Sequence, residues 1–237
     1  MEWNEWHPIY LDIVERLELD VGRDKKATEL LSRLLADIDP QPLLDRLRNT
    51  IAGKTIIVCG AGPSLDRHLK QLQEDDEISK SVIVVADGAV SVVTEQDIDC
   101  DIVVTDLDGN LEHLKDAAYK GALLIVHAHG DNMDVVESVV PKLGNILGST
   151  QVEPTNRAFL WGGFTDGDRA CYIIREYSPA KIILAGMDFG NTVGKWSKPG
   201  HDAHFSAGRI KRIKLEIAEE LISGLLQRSE IEYVRLK

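Results

Sequence analysis

Hydrophobic residues recur along the chain in two patterns, and the change from one to the other falls near residue 50. Before that point, apolar residues are three or four positions apart, as at Leu30, Leu34 and Ile38. This spacing places them on one face of a helix, and Asp39-Pro40 is a typical helix end. Residues 1–50 are therefore predicted to form a helical N-terminal region that packs on the rest of the chain, residues 51–237.

From residue 54 onward, short uninterrupted apolar runs replace the helical spacing. Continuous apolar runs are typical of strands that are covered on both faces, and helical segments lie between them. The predicted strands are residues 55–59, 82–86, 102–105, 122–126, 145–147, 181–185 and 232–235. Alternating strands and helices predict an α/β fold with a doubly wound, mostly parallel, Rossmann-like sheet.

Acidic residues follow two of the predicted strands directly. Asp106 and Asp108 come after residues 102–105, and Asp87 comes after residues 82–86. The carboxyl ends of parallel strands form the ligand-binding edge of such a sheet, and Mg²⁺ prefers carboxylate oxygens. Asp87, Asp106 and Asp108 are therefore predicted metal ligands. The alternative is that Asp106 and Asp108 only cap the following helix.

Two histidines end the strand near residue 126. His127 and His129 are two positions apart, so in an extended chain both point to one side. They are suited to donate to phosphate, to ligate a metal or to relay protons, although hydrogen-bonded turn histidines are the alternative. Asp131 and Asn132, which follow, are candidates for both helix capping and ligand binding.

A glycine-rich loop and a basic segment are the candidates for phosphate binding. Glycines let the backbone approach a ligand, and the N-terminus of the following helix offers free N–H groups; a tight turn is the alternative. In segment 190–206 the lysines are suited to hold polyphosphate, unless they are simply solvated. Lys211, Arg212 and Lys214 are expected on an exposed helix face. The predicted phosphate ligands are Gly60, Ala61, Gly62, Pro63, Ser64, Lys195 and Lys198.

A second Asp-x-Asp, Asp166 and Asp168, precedes another predicted helix. Nearby, Trp161 and Phe164 are suited to stack on a planar heterocycle, with core packing as the alternative. This stretch is therefore a candidate site for a planar heterocycle.

Composition narrows the range of partners. The net charge of −12 argues against binding to nucleic acid or to an anionic membrane surface. The three cysteines lack metal-type spacing, which favours reduced thiols, and the acidic first residues do not resemble a signal peptide. We expect a cytoplasmic protein with small-molecule ligands, and homo-oligomer formation stays open.

Five motifs occur in the order found in one known family. They are residues 58–65, 86–89, 105–109, 127–132 and 163–169. Together they resemble the archaeal 6-hydroxymethyl-7,8-dihydropterin diphosphokinase family, over most of residues 51–190. The Asp-Gly-Ala and Asp-x-Asp elements are also similar to thiamine diphosphokinase, and the glycine loop to glycosyltransferase-like proteins. Gly109 stands where the thiamine enzymes commonly have serine, which makes that assignment less fitting.

The resemblance implies transfer of diphosphate from ATP to the hydroxymethyl group of a reduced pterin, with Mg²⁺ and release of AMP. The pathway would be that of tetrahydromethanopterin or folate. Catalytic roles then fall to Asp106, Asp108, His127 and His129, and pterin contacts to Asp131, Asn132, Trp161, Phe164, Thr165, Asp166 and Asp168. The alternatives are a metal-dependent sugar-nucleotide glycosyltransferase, a thiamine diphosphokinase and a nucleotide-binding module without turnover.

Overall fold

A computed structural model describes residues 1–237 and contains nine α-helices and ten strands. The helices are α1 (Trp3–Leu17), α2 (Val21–Leu34), α3 (Gln41–Ile51), α4 (Leu65–Glu74), α5 (Ala89–Glu95), α6 (Leu111–Tyr119), α7 (Met133–Val139), α8 (Asp166–Arg175) and α9 (Arg209–Gln227). The strands are β1 (Thr55–Cys59), β2 (Val82–Ala86), β3 (Ile102–Thr105), β4 (Leu123–His127), β5 (Ile146–Ser149), β6 (Ala158–Phe159), β7 (Lys181–Ala185), β8 (Thr192–Val193), β9 (Phe205–Ser206) and β10 (Glu232–Arg235).

Eight of the strands form one sheet in the order β10-β7-β1-β2-β3-β4-β5-β6. Every neighbouring pair in this sheet is parallel, which confirms the predicted α/β class. The chain builds outward from β1 in one direction through β6, and then returns to add β7 on the other side of β1. The strand order therefore reverses between β1 and β7. Crevices at such reversals are where open α/β sheets bind ligands.

Two apolar cores cover the two faces of the sheet. In β1, Ile57 and Cys59 face a core that includes residues of α2, α4, α5, α6 and α7. Ile56 and Val58 face the opposite core, with residues of α1, α3, α8 and α9. Alternate residues of a strand point to opposite faces, so a strand covered on both sides must be apolar throughout. Coverage of both faces of the sheet therefore explains the unbroken apolar runs of the sequence.

The N-terminal helices share these cores with the sheet. Trp6 and Tyr10 of α1 belong to one core, and Leu31 of α2 belongs to the other. Helix α1 also contacts α9, and α2 contacts α7. The predicted helical region is therefore observed, and it packs directly against the sheet and its helices.

Short strands are the elements that the sequence pattern missed. Strand β6 and the antiparallel pair β8–β9 each have only two residues per strand, too few to show a periodicity. The β8–β9 pair lies within the segment 190–206 that the sequence predicted as a loop. None of the helices combines the length and the apolar character that crossing a membrane requires.

Candidate active site

A cleft of about 600 Å³ opens at the carboxyl edge of the sheet. Its walls come from the segments after β1, β2, β3, β4 and β7, with contributions from α2, α8, α9 and the β8–β9 pair. Fourteen of the predicted site residues line it: Gly60, Ala61, Gly62, Asp87, Asp106, Asp108, His127, His129, Asp131, Phe164, Thr165, Asp166, Asp168 and Lys198.

Asp87, Asp106 and Asp108, here called the acid triad, meet in this cleft. One carboxylate oxygen from each lies within 4.8 Å of the others. The strands β2 and β3 are neighbours in the sheet, which brings together residues about twenty positions apart in sequence. Leu107 lies between Asp106 and Asp108, just after β3, and has a φ of +68° and a buried side chain. This left-handed turn leaves the leucine in the core and both carboxylates in the cleft.

Gly109 allows Asp87 to reach the triad. The amide N–H of Gly109 donates to Asp87 Oδ2 at 2.7 Å. A Cβ atom at position 109 would lie 2.7 Å from Asp87 Oδ1, closer than real side chains approach. A serine at this position would therefore push the Asp87 carboxylate away from its present place. The residue that separates this chain from the thiamine enzymes thus has a structural role.

Burial and mutual repulsion both act on the carboxylates of the triad. Burial raises the pKa of Asp87 to about 7, and the charges of Asp106 and Asp108 add to the effect. Burial, followed by repulsion from Asp106, also raises the pKa of Asp108. Three carboxylates held this close repel one another when all are ionised. They form a donor set that fits a hard divalent cation, because the cation would relieve this repulsion.

The raised pKa of Asp87 predicts how stability depends on pH. Without metal, the folded chain holds this proton up to about pH 7, whereas the ordinary pKa of an aspartate is 3.8. The contribution of Asp87 to the free energy of unfolding should therefore fall as pH rises from about 4 to about 7, and level off above.

Urea unfolding in EDTA, at several pH values from about 5 to about 8, measures this contribution. It is the free energy of unfolding of the wild type minus that of Asp87→Asn. The difference between the two free energies should decrease as pH rises. In a separate titration without EDTA, the affinity for Mg²⁺ should increase as pH rises. A difference that stays constant over this range would contradict the placement of Asp87.

Asp166 lies beside the acid triad. Burial first, and then the charges of Asp106, Asp87 and Asp108, raise its pKa well above the usual range. The sequence interpretation gave this residue to pterin binding. Its electrostatic neighbours place it at the cation end of the cleft, where it is suited to be a fourth carboxylate.

Three lysines face these carboxylates. Lys198 Nζ lies 3.6 Å from Asp108 Oδ2. Lys211, which donates to Ser197 Oγ at 3.2 Å, and Lys214 line the same cleft. Burial and the charge of Lys214 lower the pKa of Lys211, while Asp108 and Asp166 oppose that shift. The expectation that Lys211 and Lys214 are on an exposed face was wrong, because this part of α9 lies against the cleft.

Lys195 is not part of this group. Its ammonium lies 4.7 Å from the centre of the Trp196 ring, and the residue does not line the cleft. The prediction of Lys195 as a phosphate ligand therefore stays a prediction without support from the cleft lining. The turn at residues 195–197 directs the chain so that Ser197 and Lys198 face inward instead.

The glycine loop differs from its predicted role. The N–H groups of Gly60 and Gly62 donate to the carbonyls of Ala185 and Gly186, both at 2.9 Å. Ser64 donates from its N–H and its hydroxyl to Asp188 Oδ2, at 2.9 and 2.7 Å. Pro63 has no N–H, and neither Pro63 nor Ser64 lines the cleft. The amides of Gly60, Gly62 and Ser64 are satisfied by the chain itself, so these three do not offer free N–H groups to phosphate as predicted. The Ala61 amide has no partner in the chain and Ala61 lines the cleft, so its predicted role stays a prediction.

The two histidines have different surroundings. His129 Nε2 lies 3.4 Å from Asp106 Oδ2. Burial would raise the pKa of Asp106, but His129 and the Asp108 amide overcome this and lower it. His127 is buried, and its Nε2 lies 3.1 Å from Arg169 Nη2. Burial and the charge of Arg169 lower the pKa of His127 well below the ordinary value, which keeps this imidazole neutral.

Asn132 holds this segment in place and does not face the cleft. Its Nδ2 donates to the carbonyls of Asp106 and His127, both at 2.8 Å, and its Oδ1 accepts from the His129 amide at 2.9 Å. With all of these atoms engaged, the predicted contact of Asn132 with a pterin was wrong. Asp131 lies at the rim of the cleft, where its nearest cation is Arg23, at 3.5 Å.

The residues before α8 also divide between cleft and scaffold. Asp168 accepts from the amides of Phe164 and Thr165, and Thr165 in turn caps α8 through a capping box. Both oxygens of Asp168 are therefore used in the fold, and its predicted role in holding a ring was wrong. Phe164 does line the cleft, with Lys214 Nζ 5.8 Å from its ring centre.

Trp161 lies outside the cleft. It belongs to the core on the α8 face, 5.5 Å from the Phe159 ring, and its N–H donates to the Tyr177 hydroxyl. The prediction that it stacks on a ligand was wrong, and core packing was the correct alternative.

At the β4–β5 end of the cleft, two polar residues appear that the sequence did not indicate. Asp24 of α2 accepts from the Gly130 amide at 2.8 Å, the Gln151 side chain at 2.8 Å and the Tyr10 hydroxyl at 2.6 Å. Gln151 Oε1 lies 3.4 Å from His127 Nε2. No sequence pattern pointed to either residue, because Asp24 lies within a helical pattern and Gln151 follows a short strand.

Fold and site together define an α/β protein with clustered carboxylates and facing lysines at the carboxyl edge of a parallel sheet. Comparison with known families gives the particular group. The family described as 6-hydroxymethylpterin diphosphokinase MptE-like matches residues 31–194. The chain belongs to this family.

Curated relatives match the chain over almost its whole length. A 6-hydroxymethyl-7,8-dihydropterin pyrophosphokinase from Methanocaldococcus jannaschii is 39% identical, covering 99% of this chain and 100% of the relative. The protein of the same name from Pyrococcus furiosus is 41% identical, covering 95% and 94%. A solved structure, the Maf glycosyltransferase from Magnetospirillum magneticum AMB-1, is 16% identical with a TM-score of 0.49, covering 79% of this chain and 34% of that one.

Proposed function

We propose that this protein transfers diphosphate from ATP to the hydroxymethyl group of 6-hydroxymethyl-7,8-dihydropterin and releases AMP. The observation that carries the proposal is the acid triad with its oxygens within 4.8 Å of one another, opposed by Lys198, Lys211 and Lys214 in the same cleft. Carboxylates that hold Mg²⁺, together with cations that hold phosphate oxygens, are the parts that phosphoryl-type transfer requires. The names of the full-length relatives supply the substrates.

Asp87, Asp106 and Asp108 are the residues that would hold Mg²⁺, with Asp166 beside them. Bound Mg²⁺ would offset the negative charge that develops on the phosphate oxygens during transfer. The lysines bind and orient the polyphosphate from the α9 side of the cleft. His129, which contacts Asp106, is placed to take a proton at Nε2 or to position the attacking hydroxyl, while the neutral His127 lines the cleft floor.

The pterin ring is assigned to the end of the cleft near β4 and β5. Strand β4 adjoins β3, so this end lies next to the acid triad, where the hydroxymethyl group must reach the β-phosphorus. The segment after β4 supplies Asp131, and the segment before α8 supplies Phe164, whose half-buried ring is suited to stack on a pterin. Gln151 offers an amide at the same end.

One assay tests the proposal against its alternatives. The protein is incubated with Mg²⁺ and ATP, together with reduced hydroxymethylpterin, with thiamine, or with neither. AMP and the pterin diphosphate ester should form only with the pterin. AMP with thiamine would favour thiamine diphosphokinase, release of a nucleoside diphosphate from a sugar nucleotide would favour a glycosyltransferase, and ATP binding without turnover would favour a non-catalytic module.

The lysines of α9 give a prediction that the sequence pattern did not suggest. Lys211→Met and Lys214→Met should each raise the KM for ATP about 10- to 100-fold, the usual effect of losing a charge-assisted hydrogen bond. Steady-state kinetics with varied ATP measures this. Arg212→Met is the matched control, since Arg212 is an exposed residue of the same helix. Equal effects from all three variants would mean that general charge, and not position, is responsible.

A further inference from the structure

Asp188 occupies a position that nucleotide-binding loops usually leave to phosphate. Its Oδ2 accepts from the Ser64 amide and hydroxyl at the N-terminus of α4. A helix N-terminus normally favours an anion, and here the anion is part of the chain. A phosphate group brought to this point would meet a carboxylate instead of free N–H donors.

Gly62 is the residue that admits this carboxylate. A Cβ atom at position 62 would collide with Asp188 Oδ2 and with the Gly186 carbonyl oxygen. Any other residue at position 62 would therefore displace Asp188. The glycines of the loop serve the close packing of β1 against the β7 end, which explains their presence without a phosphate.

One oxygen of Asp188 has no partner in the chain. Its Oδ2 takes both bonds from Ser64, and no protein donor contacts Oδ1. Asp188 is half-buried and lines the cleft, as do its neighbours Met187 and Phe189. The cleft therefore contains, at this end, a carboxylate acceptor between two apolar side chains, which suits a neutral group with hydroxyl donors and a flat apolar face.

The strand order gives the position of Asp188 relative to the acid triad. Asp188 follows β7, and the crevice between β7 and β1 is the point where the strand order reverses. At about 4.8 Å per strand, the β7 end lies about 10 Å from the β2 end that supplies Asp87. Along the edge, Asp188 is therefore separated by the glycine loop after β1 from the acid triad after β2 and β3.

Resting on the function proposed above, we infer that Asp188 binds the ribose of ATP, accepting a hydrogen bond from a ribose hydroxyl at Oδ1. The glycine loop then holds the sugar end of the nucleotide, and the polyphosphate extends from it toward Lys198, Lys211 and Lys214. Charge supports this direction, because the carboxylate of Asp188 would repel phosphates that the lysines attract.

Calorimetric titration without pterin tests the inference independently of turnover. Wild-type protein with Mg²⁺ is titrated with ATP, 2′-deoxy-ATP and 3′-deoxy-ATP. Loss of one hydrogen bond to a carboxylate should weaken binding of at least one deoxy analogue about 10- to 100-fold. In Asp188→Ala this discrimination should shrink to within about twofold, because ATP itself binds more weakly.

Two further variants keep the test decisive. Asp188→Asn retains an acceptor for Ser64, so the helix cap persists, and its neutral amide should reduce the discrimination even if Asp188→Ala folds poorly. Asp202→Asn removes the same charge from an exposed position and should leave the discrimination unchanged. The inference is overturned if wild type binds all three nucleotides equally or not at all, or if the Asp188 variants keep the wild-type ratio. Tighter ATP binding by Asp188→Ala would place phosphate, not ribose, at this loop.

The two proposals can fail separately. Discrimination that depends on Asp188, without AMP formation in the pterin assay, would support the ribose site and overturn the diphosphokinase function. AMP formation without discrimination between ATP and its deoxy analogues would support the diphosphokinase function and overturn the ribose site.

Discussion

Asp106→Asn should lower kcat by about 10²- to 10³-fold, the range seen when one electrostatic contact to a reacting centre is removed. Asp106 is the member of the acid triad whose pKa is lowered, despite burial, by His129 and the Asp108 amide. It is therefore charged at neutral pH without help from a cation. An asparagine of the same shape removes the charge and leaves one oxygen for the neighbouring hydrogen bonds.

The fold should survive this change, because it also removes repulsion within the triad. The measurements are single-turnover AMP formation, the Mg²⁺ dependence of the rate and the urea midpoint without metal. Asp134→Asn, an exposed residue in the first turn of α7, is the control for charge loss. An Asp106→Asn enzyme with normal kcat at ordinary Mg²⁺ would remove Asp106 from the cation site.

The acid triad was predictable because it depends on strand order alone. Asp87 and Asp106 directly follow apolar runs, and parallel strands bring their carboxyl ends to one edge. Only the pairing of β2 with β3 had to be right, and consecutive strands are usually neighbours.

The lysines of α9 could not be assigned from sequence. Lys211 and Lys214 are three apart and so share a helix face, but the helix pattern does not reveal what that face meets. Here it meets carboxylates that come from β3 and α8, more than forty residues away in the chain. The contact is a product of tertiary packing.

The glycine loop shows a second limit. Glycine indicates that something approaches the backbone closely, but not what approaches. At Gly62 it is the side chain of Asp188, which lies 126 positions further along the chain. The same limit applies to Trp161, because the sequence shows an aromatic ring suited to stacking but not whether the core or a ligand meets it.

Asp24→Ala should destabilise the protein by about 3 to 5 kcal/mol, because it leaves several buried donors without an acceptor. Asp24 is almost fully buried and accepts from Tyr10, Gln151 and the Gly130 amide. Burial and the charge of Asp24 raise the pKa of Tyr10, so the phenol remains a donor at any ordinary pH. These bonds connect α1 and α2 to the segment that carries His127 and His129.

The same substitution should raise the KM for pterin more than the KM for ATP, since Gly130 and Gln151 line the β4–β5 end of the cleft and not the β7 end. Urea unfolding gives the stability, and kinetics at a temperature well below the transition gives the two KM values. Asp12→Ala, an exposed aspartate of α1 with only a 3.6 Å ion pair to Arg16, should change stability by less than about 1 kcal/mol. If both variants were equally stable, Asp24 would not connect the helices to the cleft. Equal rises in the two KM values would instead mean that the whole edge loosens, and the pterin would have to bind elsewhere.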